Sequence, residues 1–175
     1  MPSTYSLIAS ATPTTGTSVS FTSIPDTYTD LVLRISARSN YTSTYLTTLY
    51  VGFNNNSSNL FSFLGLQAIS GSISLFSGSS GNAAGDLYIP TENSNITSNL
   101  FGSAEIYIPN YKASIYKQFS SNFCLENTNT TNYYSLGTTS SMFASTSTIS
   151  SIQVLIGDGN FVSGSSLYLY GIKNS

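Results

Sequence analysis

The stretch DLVLRISARS, residues 30–39, alternates without a break. Leu31, Leu33, Ile35 and Ala37 fall in one phase, and Val32, Arg34, Ser36 and Arg38 in the other. Successive side chains of a strand point to opposite faces of its sheet, so this period of two marks a strand with one face in a core. The pattern predicts Leu31, Leu33 and Ile35 buried, with Arg34 and Arg38 outside the core.

The same reading extends in both directions. Upstream, Tyr5, Leu7 and Ala9 alternate with Thr4, Ser6 and Ile8, the run ATPTTG turns the chain, and TSVSFTS puts Val19 and Phe21 on one face. IPDTYTD reads as a loop, because Pro25 fixes its own φ and pushes Ile24 towards extended conformations. Downstream, YLTTLYVGF carries Tyr45, Leu49, Val51 and Phe53 in phase and stops at NNNSSN. The apolar middle, residues 60–90, suggests two or three short strands and a mobile loop from Ser77 to Gly85. FGSAEIYIPN sets Ala104, Ile106 and Ile108 against Glu105 and Tyr107. SIYKQFSSNFCLEN sets Ile115, Lys117, Phe119, Ser121 and Phe123 against Tyr116, Gln118, Ser120, Asn122 and Cys124. NYYSLGT is a short strand, SIQVLIG holds Ile152, Val154 and Ile156 in phase, GDGN reads as a turn, and a last strand opposes Leu167 and Leu169 to Tyr168 and Tyr170. Nine to eleven short strands, no long helix and no fixed-period repeat predict an all-β fold. The expectation is an antiparallel two-sheet sandwich, jelly-roll-like, forming a single domain over residues 1–175.

Composition agrees with that class. A chain of 175 residues suits one domain and buries a sizeable core without disulfides or metals. Charged residues make up only 7%, against about 25% in an average domain. Ser, Thr and Asn fill 72 positions, so hydroxyls and amides must supply the polar surface. Disordered chains lack aromatic and β-branched residues, whereas this one has 13 Tyr and 10 Phe, with no Trp. The net charge is −2, and Arg34, Arg38, Lys112, Lys117 and Lys173 form no basic stripe. Nucleic-acid binding, which requires several neutralised phosphates, is therefore not expected. No run approaches the roughly 18 apolar residues of a membrane span, and MPSTYSLIAS lacks the basic-then-apolar form of a secretory signal. In that setting the sequons at Asn40, Asn55, Asn56, Asn95 and Asn129 are expected to stay unused.

The chemistry of catalysis is thin. With no His, the usual general base and the commonest metal ligand are both missing. Asp26, Asp30, Asp86, Glu92, Glu105, Glu126 and Asp158 show no local pairing of the kind two-carboxylate hydrolysis needs. The run from Gly157 to Asn160 is the one weak calcium candidate, and its turn-forming residues favour a hairpin turn. Cys124 is the sole cysteine and is expected as a small buried hydrophobe in a strand. No catalytic residue, cofactor or metal site is expected, and the chain is not expected to be an enzyme. The enriched resource is aromatic. Phe21, Phe53, Phe101, Phe119 and Phe123 are expected to fill the core, and Tyr107, Tyr168 and Tyr170 to line the other sheet faces or a subunit interface, where tyrosine buries area and keeps a polar handle. A charge-poor, Tyr-rich surface is poorly protected against association, so a homo-oligomer is expected.

Four segments carry a resemblance: MPSTYSLIAS (1–10), SIPDTYTDLVLRISARS (23–39), FGSAEIYIPNY (101–111) and NFVSGSSLYLYGIKNS (160–175). They resemble a group of small proteins encoded by tailed bacteriophages and their prophages, in order along most of the chain and most weakly from Asn54 to Thr97. None is a chemical motif. The resemblance implies a virion-associated β-sandwich assembled in the host bacterial cytoplasm. It would be a decoration (cement) protein bound to the major capsid protein lattice or part of a tail appendage. Decoration is favoured because the chain reads as sandwich from about residue 4, without a fibrous attachment segment. A homotrimer matches the local threefold positions of such a lattice. The alternative is a receptor- or glycan-binding module of a tail fibre or spike.

Overall fold

A computed structural model describes residues 4–56, 58, 60–80, 84–93, 95–125 and 134–173. Twelve strands are present among them: β1 (Tyr5–Ala11), β2 (Ser18–Phe21), β3 (Asp30–Ala37), β4 (Leu46–Phe53), β5 (Phe61–Ile69), β6 (Ser72–Ser80), β7 (Ala84–Pro90), β8 (Gly102–Ile108), β9 (Lys117–Leu125), β10 (Ser135–Phe143), β11 (Ile152–Ile156) and β12 (Ser166–Ile172). They form two sheets, ordered β1-β12-β3-β8-β9-β10-β5-β6 and β2-β11-β4-β7. Every pairing is antiparallel.

The pairings nest. β1 pairs β12, β2 pairs β11, β3 pairs β8 and β4 pairs β7. A long hairpin wrapped across two facing sheets gives this order, which is that of an eight-stranded jelly roll. Two hairpins are inserted into it. β5–β6 lies between β4 and β7 in the chain, and β9–β10 between β8 and β11. Both join the larger sheet on the far side of β8 and widen it to eight strands.

The core lies between the sheets and is built by the alternation read from sequence. Leu31, Leu33, Ile35 and Ala37 of β3 are buried, with Ile106 and Ile108 of β8 and Leu167 and Leu169 of β12 beside them. Leu49, Val51, Phe53, Leu87, Ile89, Ile152 and Val154 close over them from the smaller sheet. Towards β9 and β10 the filling turns aromatic. Phe53 meets Phe119 at 5.1 Å and Phe143 at 5.5 Å, and Phe61 stacks on Phe143 at 4.8 Å. Such ring pairs add stabilisation beyond the area they bury.

One side chain in this interior is a cation. Lys117, fully buried at the start of β9, donates its three ammonium protons to the carbonyls of Ile115, Ser145 and Ser147. Burial pushes its pKa below the ordinary lysine value.

Several expectations need correction. Val32, in the outward phase, is buried because Tyr170 and Tyr107 flank it as cross-strand neighbours. Arg38 stays out of the apolar cluster but is also buried, with one guanidinium nitrogen donating to the carbonyl of Thr97. Phe101 is half-buried, its ring lying against Gly164, while Phe61, Phe143 and Phe161 take core places not assigned from sequence. In β1 a bulge between Leu7 and Ala9 shifts the phase, so Tyr5 and Leu7 face outward while Ala9 and Ala11 pack on the core. Ser77–Ser80 are strand rather than loop, as are Ala84 and Gly85, and residues 81–83 lie outside the described residues. GDGN is a bend in a crossover rather than a hairpin turn, because β11 and β12 belong to different sheets. Gly159 takes φ 76° there, and a Cβ at that position would sit 2.5 Å from Ser39 Oγ. Cys124 is exposed, because it lies in the phase of β9 opposite to Phe119 and Phe123.

Candidate binding surface

The smaller sheet covers one face of the larger one and leaves the other open. Cross-strand registers lay out that outer face row by row. At one end, Tyr168 of β12 pairs Arg34 of β3, which pairs Glu105 of β8. The adjacent row runs from Leu7 through Tyr170 and Val32 to Tyr107. The three tyrosines singled out from sequence therefore share one patch. The Arg34 guanidinium lies 5.6 Å from the Tyr5 ring centre and 5.9 Å from that of Tyr170, and its Nε donates to Glu105 Oε2 at 2.8 Å. Both partners of this ion pair are half-exposed, so it contributes at most about 1 kcal/mol. Tyr168 stacks on Tyr170 at 6.4 Å and stays partly exposed.

Tyr107 is less available than the sequence suggests. Its hydroxyl donates to Asp30 Oδ2 at 2.8 Å, and Asp30 Oδ1 accepts the Asn110 N–H at 2.9 Å. Burial and the Asp30 carboxylate together hold the Tyr107 phenol above its ordinary value. The Asp30 carboxylate thereby ties the Tyr107 hydroxyl to the turn after β8.

The other end of the face differs in kind. From β9 to β6 the outward positions are Gln118, Ser120, Asn122 and Cys124, then Leu136, Thr138, Ser140 and Met142, then Ser62, Leu64, Leu66 and Ala68, then Ser79, Ser77, Leu75 and Ile73. None is charged. The aliphatic ones are exposed: Leu64 59%, Leu66 45%, Ile73 76%, Leu75 76% and Leu136 58%. Together they leave about three whole aliphatic side chains in water, or roughly 300 Å² of apolar surface. The largest apolar patch of a monomeric protein is typically about 300–600 Å² and is often functional. Shallow depressions run along the same face. One of about 260 Å³ is lined by Arg34, Ser36, Ser103, Glu105, Ser166 and Tyr168. Another, of about 400 Å³, lies beside Cys124 and Leu136, cross-strand partners in β9 and β10.

The opposite face of β5 and β6 projects beyond β7, the edge of the smaller sheet. There the chain covers itself. Phe76 of β6 lies over its cross-strand partner Gly65, and Phe63 of β5 over its partner Gly78. In β9–β10, Phe123 lies over Gly137 in the same way. A ring resting on a glycine buries backbone that a second sheet would otherwise cover.

The aliphatic end was not singled out from sequence, although a signal is present. In FSFLGLQAI both phases are apolar, Phe61 and Phe63 in one and Leu64, Leu66 and Ala68 in the other. Period-two reading treats a two-faced apolar strand as buried on both sides, and here only one side is covered. The calcium candidate stays alone. Asp158 meets Thr47, accepting from its hydroxyl and donating its N–H to it, and no three of Cys, Asp and Glu come together among the described residues. The described residues contain no helix long and apolar enough to cross a membrane. Comparison with protein-family models, with curated proteins and with solved structures gives no match.

Proposed function

We propose that this chain is a non-enzymatic structural protein of a tailed-phage virion, a decoration protein that binds the major capsid protein lattice as a homo-oligomer, with a trimer as the expected unit. The observation that carries this reading is the broad outer face of the eight-stranded sheet, uncharged across four adjacent strands and studded with exposed aliphatic side chains. Such a face suits flat docking against other protein surfaces. Among the described residues it offers no deep pocket for a small substrate. The blockwise resemblance to small phage proteins supplies the virion context, and the few charges predict binding that depends little on salt.

A protein that binds the assembled shell but not its free subunits stabilises the shell by its binding free energy. The test is to delete or strip the protein, heat the particles, and locate it with labelled antibody. Shells that release their contents at lower temperature, with label over the head, are expected. Label at the tail tip, with adsorption lost and head stability unchanged, would overturn the reading. That outcome would favour a glycan- or receptor-binding module of a tail fibre or spike. The depression between Tyr168, Arg34 and Glu105 favours this second reading, because it joins an aromatic face to hydrogen-bonding groups suited to sugar hydroxyls.

A further inference from the structure

We infer that the outer face of β9, β10, β5 and β6 is where two copies of this chain meet, each presenting Leu64, Leu66, Ile73, Leu75 and Leu136 to the same patch of the other about a twofold axis. This rests on the homo-oligomer part of the proposed function and makes this contact a twofold one, so that a trimer would have to form through another surface.

Three observations select a second copy as the occupant. The first is charge. β5, β6 and β10 contain no Asp, Glu, Lys or Arg. Around a symmetry axis a surface meets its own copy, so any charge near the axis faces itself. An uncharged patch avoids that repulsion, and it offers nothing to attract an acidic or basic partner. The second is extent. β5, β6, β9 and β10 are each nine residues long. Four strands of that length cover about 19 by 30 Å, or roughly 600 Å² in projection. That approaches the roughly 800 Å² per partner of a standard stable interface, with an aliphatic centre and a hydroxyl and amide rim of the usual kind. The third is relief. Between the aliphatic residues stand Ser, Thr and Ala, so no long polar side chain holds a facing sheet away from the roughly 10 Å spacing of packed sheets.

The chain carries its own reporter. Cys124 is exposed and faces the same side as its cross-strand partner Leu136, at the rim of the patch. Burying the patch against another copy shields the thiol. The experiment combines sedimentation of the full chain, at about 1 μM and about 100 μM, with the rate at which a disulfide reagent labels Cys124. The expected result is an oligomer at the higher concentration, in which labelling slows by about tenfold. Leu64→Lys with Leu75→Lys should give a monomer with a fast-labelling thiol and an unchanged circular dichroism spectrum. Leu7→Lys, at the opposite end of the face, should leave the oligomer intact. Should the lysine pair disturb folding, Leu75→Ser alone tests the same point, with weakened assembly expected. An oligomer that survives these patch substitutions, with Cys124 still freely labelled, overturns the assignment of this surface and leaves the homo-oligomer reading standing. A chain that stays monomeric at the higher concentration overturns both. An unassembled chain that binds capsid protein through this patch would assign the surface to the lattice instead.

Discussion

Substituting Gly65 by alanine tests whether aromatic rings do the work of a missing sheet at the edge of this fold. A Cβ on Gly65 would stand 2.2 Å from Phe76 Cζ, where ordinary contact begins near 3.4 Å. The ring tip must retreat by roughly 1 Å. Phe76 is half-buried, so displacing it forfeits about 1–1.5 kcal/mol of burial. Its pairing with Phe63, at 6.2 Å between centres, is worth about 0.5–1.5 kcal/mol more. Alanine recovers about 0.5–1 kcal/mol over glycine within a strand. The net expectation for Gly65→Ala is a loss of about 1 kcal/mol. In a Phe76→Ala background the clash is gone and only the alanine gain remains, so the same substitution should stabilise by about 0.5–1 kcal/mol. The sign reverses, and the coupling between the two positions should be about 1.5–2 kcal/mol. Urea unfolding of the four proteins measures it, with hydrogen exchange of the β5–β6 amides to catch local opening. A Gly65→Ala effect of the same sign and size in both backgrounds would refute the argument that the ring seals the glycine.

Three further outcomes follow from the core and its edges. Gly137→Ala should cost more, about 2–4 kcal/mol, because its Cβ would meet both the buried ring of Phe123 and the carbonyl of Leu66, which belongs to the backbone and cannot rotate away; equal costs at Gly65 and Gly137 in urea unfolding would contradict this. Leu33→Ala should cost about 2–5 kcal/mol while Arg34→Ala costs less than about 1 kcal/mol, and thermal unfolding showing the reverse order would mean the faces of β3 are exchanged. Lys117 sets a pH signature: the unfolded chain keeps its proton up to the ordinary value of 10.5 and the folded chain releases it earlier, so this group makes stability rise with pH across the window ending at that value. Tyr107 and Tyr111, raised by burial above 10.0, hold their protons longer when folded and oppose it, with stability lost as pH climbs through their raised values. Lys117→Met should remove the rise and destabilise by about 2–4 kcal/mol at neutral pH, through three carbonyls left without a donor; an unchanged pH profile in denaturant titrations would show that the ammonium is solvated after all.

What could be read ahead of the structure was what a single strand encodes about itself. The phase of β3, the inward phase of β9 and the opposition of Leu167 and Leu169 to the tyrosines of β12 are local patterns, and local chemistry suffices for them. Burial of Val32 is not local. It is produced by Tyr107 and Tyr170, which lie 75 and 138 positions further along and reach it only through strand pairing. Cys124 shows a different failure. Its phase against Phe123 was legible, but the general habit of cysteine outweighed it. The aliphatic patch was hidden because periodicity reports that a face is apolar without reporting whether anything covers it. That second fact depends on where the smaller sheet stops, at β7.

The nesting of the strand pairs also fixes an order of events in time. Tyr5 of β1 takes Ile172 of β12 as its partner, so β1 cannot be satisfied until some 165 residues more have been polymerised. At a synthesis rate of about 5–20 residues per second, that wait is roughly 8–35 s. The β5–β6 hairpin, closed by Ser70 and Gly71, needs only microseconds once its own residues have emerged. Throughout the interval β5 and β6 can pair only with each other, with unpaired outer edges and no charge on either strand to deter a neighbouring nascent chain. Many such chains are made at once on one message. Yield should therefore depend on how crowded the translating ribosomes are, and a lysine placed on β6 should raise soluble recovery at high expression.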